Sequence, residues 1–130
     1  MRAARWLSPL IVSVLAAGLP LLAGCASEPT ALSDFGGDPR RGLQALQRHG
    51  CGACHVIPGV AGATGTAGPP LTDFARRGYI AGALPNTPEN LIRWIEDPQA
   101  IEPGTAMPAL VLDTAEARDI AAYLYPATRR

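Results

Sequence analysis

Cys51-Gly52-Ala53-Cys54-His55 is a C-x-x-C-H run, and its reading decides the fold of the chain around it. Two thiols three positions apart on one helical turn can each form a thioether to a vinyl group of the same haem. The imidazole that follows Cys54 is then placed against the iron. The run therefore reads as the attachment sequence of a c-type haem. Five residues recur by chance, so support has to come from the rest of the chain.

The first support is export. Arg2 and Arg5 open a basic start, and Trp6 to Ala23 is an apolar stretch broken by Pro9 and Pro20, the pattern of a secretory signal over residues 1–24. Its end, Leu22-Ala23-Gly24-Cys25, resembles a bacterial lipoprotein signal box. That resemblance implies cleavage before Cys25 and a diacylglyceryl group on its sulfur. An uncleaved anchor is the alternative, since about 18 apolar residues just span a bilayer. The chain has 3 cysteines. The lipoprotein box takes Cys25 and the haem motif takes Cys51 and Cys54, so none is left over. An oxidising periplasm favours a disulfide between neighbouring thiols, so a C-x-x-C there needs a use. A thioredoxin-like site wants a βαβ pattern, which is not visible. A zinc site wants four ligands, and the exported chain offers two cysteines with His49 and His55 at the wrong spacing.

The chain is 130 residues long, one small domain with extras. Without Arg2 and Arg5 its 11 basic residues, all arginine, become 9 against 11 acidic ones, a formal charge of −2. Haem propionates make it more negative. Nucleic acid and anionic membrane surfaces need a basic patch and are set aside as partners.

The segment 25–37 carries turn formers without periodicity and reads as a lipidated Cys25 and flexible linker ahead of a domain over 38–126. Asp38-Pro39 predicts a helix start, with Asp capping and Pro at the first position, running to about Gly50. Leu43, Ala45 and Leu46 form its apolar side, and Gly42 there allows another helix to approach closely. Residues 56–70 are too rich in Gly and Pro for regular structure, and a loop this long in a small domain suits wrapping a planar ligand. Leu71 to Arg77 allows a short helical turn. Thr87-Pro88-Glu89 opens a helix that ends at Asp97-Pro98, residues 99–112 read as loop, and the last helix runs from Asp113 or Thr114 to Tyr125 with Pro126 as its stop. No strand pattern is visible. The expected fold is all-α, three main helices and long loops around one covalently bound haem c that supplies the apolar mass a short chain lacks.

His55 is the proximal iron ligand by its place after C-x-x-C, whereas His49 reads as solvated surface. Met107 is the single methionine besides the initiator. It lies between Pro103-Gly104 and Pro108, in a loop stiffened by proline. A stiff loop presenting one thioether is what a distal ligand requires, and His/Met ligation raises the haem potential.

From Asp38 to Tyr125 the chain resembles the class I cytochrome c family of monohaem, His/Met-ligated, all-helical electron carriers. The matching segments are Cys51–His55, Gly68-Pro69-Pro70-Leu71, Trp94-Ile95-Glu96-Asp97-Pro98, Pro103-Gly104-Thr105-Ala106-Met107-Pro108 and Ile120-Ala121-Ala122-Tyr123-Leu124. The run Pro85-Asn86-Thr87-Pro88-Glu89-Asn90-Leu91 is similar to cytochrome c modules found beside or fused to respiratory terminal oxidases. The resemblance implies that the Pro69 carbonyl accepts the Nδ1 proton of His55. It implies that Arg77 lies near a haem propionate, that Trp94 packs against the haem on the Met side, and that Thr105 donates to a propionate or an internal water. It also implies that Gly42 and Leu46 meet Ile120 and Tyr123 where the first and last helices cross. Family members best known for docking use a ring of lysines. This chain has none, and its loop from Val60 to Ala67 is small and apolar, so partner contact is expected to be apolar with weak charge steering.

The expectation is a lipid-anchored carrier on the periplasmic side of a bacterial membrane. It passes single electrons between redox partners such as a quinol-oxidising complex and a terminal oxidase, and it catalyses no bond chemistry. A small haem peroxidase needs an open iron position, which Met107 argues against. A gas or redox sensor in which Met107 leaves the iron, and a fixed cytochrome subunit of an oxidase or dehydrogenase complex, are the other readings.

Overall fold

The computed structural model describes residues 36–127. The expected export signal, the lipid-bearing Cys25 and nearly all of the linker lie outside the described residues. Four helices and very little strand make up the fold.

Helix α1 spans Pro39–Arg48 and starts as its sequence dictates, with the Asp38 carboxylate accepting from the amides of Arg40 and Arg41 at 2.8 and 3.4 Å and Pro39 in the first turn. It stops at Arg48, with His49 as its C-cap, slightly short of the expected end. Helix α2 spans Pro88–Glu96 under a Thr87 cap whose hydroxyl accepts from the Asn90 amide. A further helical turn, α3, spans Pro98–Ile101 inside the segment expected to be loop. Asp-Pro is both a stop and a start: Pro98 ends α2, while the Asp97 carboxylate caps α3 by accepting from the Ala100 amide at 3.0 Å. Helix α4 spans Thr114–Ala127 and runs one residue past Pro126, its expected stop.

The crossing of α1 and α4 is the most extensive contact between elements. A Cβ built on Gly42 would strike the backbone carbonyl of Asp119, so the two helices touch backbone to backbone there. Ala45 and Leu46 on α1 and Ala117, Ile120, Ala121 and Leu124 on α4 are buried around that point. At a usual ~25 cal/mol per Å² of apolar surface, closing such a seam is a main source of stability in a small domain. Asp119 is the buried polar residue of the crossing. It accepts from the Asp38 amide at 2.7 Å and from the Arg41 guanidinium at 2.7 and 3.0 Å. Burial alone would raise its pKa. The Arg41 hydrogen bonds, the Asp38 amide and the Arg41 charge together outweigh that and hold the carboxyl below its ordinary value.

The sequence shows no strand, yet Tyr79–Ile80 pairs antiparallel with Leu84–Pro85, in the register Tyr79 with Pro85 and Ile80 with Leu84. The turn between them has φ of 51° at Ala81 and 74° at Gly82, closed by the Ala83 amide on the Ile80 carbonyl. Two successive positive φ values make a hairpin turn. Alanine at the first of them hides the Asn-Gly signal, and two-residue strands show no alternation. Asn86 then ties this hairpin to its surroundings. Its amide donates to the Phe74 and Arg77 carbonyls at 2.8 and 3.0 Å, and its Oδ1 accepts from the Tyr125 hydroxyl at 3.0 Å. Burial pushes the Tyr125 phenol up to about 12, with the Glu89 charge adding to it, so it stays a donor.

Candidate haem site

Cys51, Cys54 and His55 follow directly from α1 through a 3₁₀ turn over Cys51–Ala53, with the His55 amide on the Cys51 carbonyl at 3.0 Å. Cys51 is partly buried against the core and Cys54 is exposed, and neither forms a disulfide. Burial raises the Cys51 thiol above its ordinary value, and the neighbouring Cys54 adds to it. A redox-active C-x-x-C needs the opposite, a lowered thiol. With no βαβ unit among the described residues either, the thioredoxin reading falls.

The Gly-rich loop folds back over this turn. The Gly65 amide donates to the Gly52 carbonyl at 3.0 Å and the Gly68 amide to the Cys54 carbonyl at 2.8 Å. No side chain fits at either point. A Cβ on Gly65 would strike the Ala53 carbonyl, and one on Gly68 would strike the His55 ring. The next residue, Pro69, sets the chemistry of that ring. Its carbonyl lies 2.7 Å from His55 Nδ1. A carbonyl oxygen only accepts, so Nδ1 carries the proton and the Nε2 lone pair is left for a metal. The loop expected to offer a small apolar surface is partly core instead: Val60 and Ala63 are buried, and Ala61, Gly62, Thr64, Thr66 and Ala67 are what it exposes.

These residues open onto a cavity of about 360 Å³, within the range of small-molecule and cofactor sites. Leu46, Ile120 and Leu124 from the helix crossing form part of its apolar wall, with Leu91, Trp94 and Ile95 of α2. Pro69, Arg77, Thr105 and Met107 also line it, so every expected cofactor residue among the described ones reaches one space. The fit to a haem is good on three independent grounds. The wall is largely apolar, two thiols and one imidazole line it, and that imidazole is held in the metal-binding tautomer.

Details differ from expectation at several positions. The Arg77 guanidinium donates to the Pro70 carbonyl and lies 5.7 Å from the Phe74 ring centre, so protein groups already position it. The Thr105 hydroxyl accepts from the Met107 amide at 3.4 Å, which leaves its own proton to donate. His49 is not solvated surface. It lines the cavity, its side chain is 19% exposed, and its Nε2 lies 3.3 Å from Glu116, which also takes Arg48 at 2.6 Å. The Arg48 hydrogen bond is the main reason the Glu116 carboxyl sits below its ordinary value. Nothing in the sequence pairs His49 with a residue so far along the chain. Sequence reasoning also missed Gln99 in the supposed loop. Its amide donates to the carbonyls of Thr105 and Met107 at 2.8 and 3.1 Å, and its Oε1 accepts from the Gly104 amide at 3.1 Å. Among the described residues no three acidic, His or Cys groups converge as a separate metal site.

Comparison with known proteins agrees with this geometry. The family model described as cytochrome c matches residues 40–126. The crystal structure of cytochrome c2 from Rhodobacter sphaeroides superposes with a TM-score of 0.53 at 26% identity, covering 72% of this chain and 98% of that one. Cytochrome c oxidase subunit 2 of Alkalihalophilus pseudofirmus is 46% identical over 70 residues, 53% of this chain and 19% of that protein. The same subunit from Bacillus sp. (strain PS3) is 35% identical over 66 residues, 49% of this chain and 18% of that protein. The chain thus spans about a fifth of the length of these curated relatives. It belongs to the cytochrome c family, as a class I monohaem member that binds haem c covalently.

Proposed function

We propose that this protein is a membrane-tethered carrier on the periplasmic side of a bacterial membrane, passing single electrons through one His/Met-ligated haem. Cys51 and Cys54 would hold the haem by thioethers, and His55 and Met107 would offer a nitrogen and a sulfur to its iron. Bound haem supplies a reversible one-electron iron couple. The chain's own part is to keep the surroundings of that couple unchanged. The Pro69 carbonyl fixes the His55 ring and raises its basicity, Trp94 and the α1–α4 wall exclude water, and Arg77 and Thr105 offer positive charge and a hydroxyl proton to the propionates. With His55 and Met107 both given to the iron, no position would be left for a small molecule, which supports a carrier rather than an enzyme. The observation that carries this reading is the His55–Pro69 contact, at 2.7 Å, in the cavity that Met107 also lines.

Lipidation at Cys25, after removal of residues 1–24, supplies the tether. Two acyl chains give a stable anchor, and tethering raises the effective concentration of carrier at its partners without tight contacts. Those partners are a quinol-oxidising complex as donor and a terminal oxidase as acceptor. The similarity to oxidase subunit 2 supports the second. It also favours an alternative in which the protein is a fixed subunit of an oxidase. Cys54, Ala67, Ala106 and Pro108 are exposed, small and neutral where they line the cavity, with Glu102 the exposed charge among its lining, which supports largely apolar docking with weak charge steering.

Carbon monoxide added to the reduced holoprotein tests the closed site. Negligible binding at neutral pH is expected, with ready binding in Met107→Ala; rapid, complete binding in the unaltered protein overturns the carrier reading. Copurification of a terminal oxidase in stoichiometric amount from detergent-solubilised membranes separates the fixed subunit from the shuttle.

A further inference from the structure

The backbone around Met107 is poorly held by its own hydrogen bonds. Pro103 and Pro108 have no amide proton, and the single backbone-to-backbone bond donated from residues 103–109 is Thr105 to Glu102 at 3.1 Å. What grips the loop is the Gln99 side chain. Its two amide protons go to the carbonyls on either side of Ala106, at 2.8 and 3.1 Å, and its oxygen takes the Gly104 amide at 3.1 Å. One planar amide therefore spans the turn that presents Met107. Gln99 is itself positioned, because Pro98 is fully buried and Asp97 caps the short helix α3 that carries it. A side chain fixed at its base and bonded three times at its tip is a strut, and the group at the far end of the strut is the Met107 backbone.

We propose that Gln99 is the positioning residue that keeps the Met107 sulfur on the haem iron, rather than a surface residue that only adds stability. The proposal rests on the reading of Met107 as the distal ligand. Gln99→Ala frees all three bonds. Gln99→Glu keeps the side-chain length and the acceptor for Gly104 but removes both donors, setting a carboxylate against two carbonyls.

The test follows carbon monoxide binding to the reduced holoprotein and the far-red thioether-to-iron band of the oxidised one. The comparison variant is Tyr123→Phe, which loses the 2.6 Å hydrogen bond to the Pro58 carbonyl at a point outside the cavity lining. The carbon monoxide rate should rise on the order of tenfold in both Gln99 variants, the size expected for losing a few exposed hydrogen bonds. The far-red band should fade at lower temperature in both, with far-ultraviolet dichroism unchanged, while Tyr123→Phe alters neither signal. If the unaltered protein lacks the far-red band, the Met107 reading falls and the role of Gln99 falls with it. If that band is present and Gln99→Ala keeps the unaltered rate and band, the Gln99 proposal alone is overturned. Unaltered behaviour in Gln99→Glu overturns it equally, since the donors would then not matter.

Discussion

Replacing Gly42 by alanine sets two effects of known size against each other. At an open helical position Gly→Ala stabilises by about 1 kcal/mol, through helix propensity and a less flexible unfolded chain. At Gly42 the added Cβ would lie 2.6 Å from the Asp119 carbonyl carbon, closer still to its oxygen, and 3.0 Å from Tyr123 Cβ. Most of that obstacle is helix backbone, which has no rotamer to escape into, so α1 must lift away from α4. Overpacking of this kind costs about 1–3 kcal/mol, and more when the neighbour cannot yield. Lifting α1 also stretches the Asp38 and Arg41 bonds to Asp119, at 2.7 Å each, for about another 1 kcal/mol. The propensity gain offsets only part of this, leaving a loss of roughly 1–3 kcal/mol. For a domain of this size that is a fall in Tm of about 5–20 °C. Urea and thermal unfolding of the holoprotein followed by circular dichroism measure it. Gly78→Ala is the control, since a Cβ there meets nothing within 4 Å and the φ of Gly78 is not positive. It should change stability by less than about 0.5 kcal/mol or raise it slightly. A Gly42→Ala protein as stable as the parent, or a Gly78→Ala protein that falls as far, refutes the reasoning.

Gly68→Ala would put a Cβ 2.6 Å from His55 Nδ1 and 2.9 Å from Nε2, turning the ring away from the Pro69 carbonyl. A less basic ligand favours the reduced iron, so redox titration should show a higher midpoint potential; an unchanged potential counts against the role of that contact. Asp119 has its carboxyl held below the ordinary value of about 3.9. Its contribution to stability is therefore complete above about pH 4 and is lost as pH falls through the lowered native value. Asp119→Asn should cost about 1–2 kcal/mol at neutral pH, the lower part of the range for charged hydrogen bonds because Arg41 is mostly exposed, and should flatten the acid limb of the stability curve. An equally steep acid limb in that variant would show the dependence to come from other groups.

Much of this protein was legible from its residues because the informative signals are local. The C-x-x-C-H run carries its chemistry within five positions. Asp38-Pro39 and Thr87-Pro88 cap their helices through the next residues in the chain, and Gly42 marks a close approach through the mere lack of a side chain. The lone Met107 between prolines marks a loop that does line the cavity. Pro69 stands out in the sequence only through family resemblance, and the 2.7 Å contact to His55 gives that position a physical reason.

What the tertiary structure decided are the contacts whose partners are far apart or whose signals cancel. Asp97-Pro98 reads as a helix stop, and only the placement of the following residues shows that the same Asp starts α3 and aims Gln99 at the Met107 loop. His49 looks like one more polar residue at a helix end until α4 brings Glu116 to it across 67 positions. Val60 and Ala63 read as a docking surface by composition, but folding of the loop over the haem motif buries them. Sequence determines caps, turns and covalent chemistry because these depend on neighbours along the chain; which side chains brace the site depends on packing between elements distant along that chain.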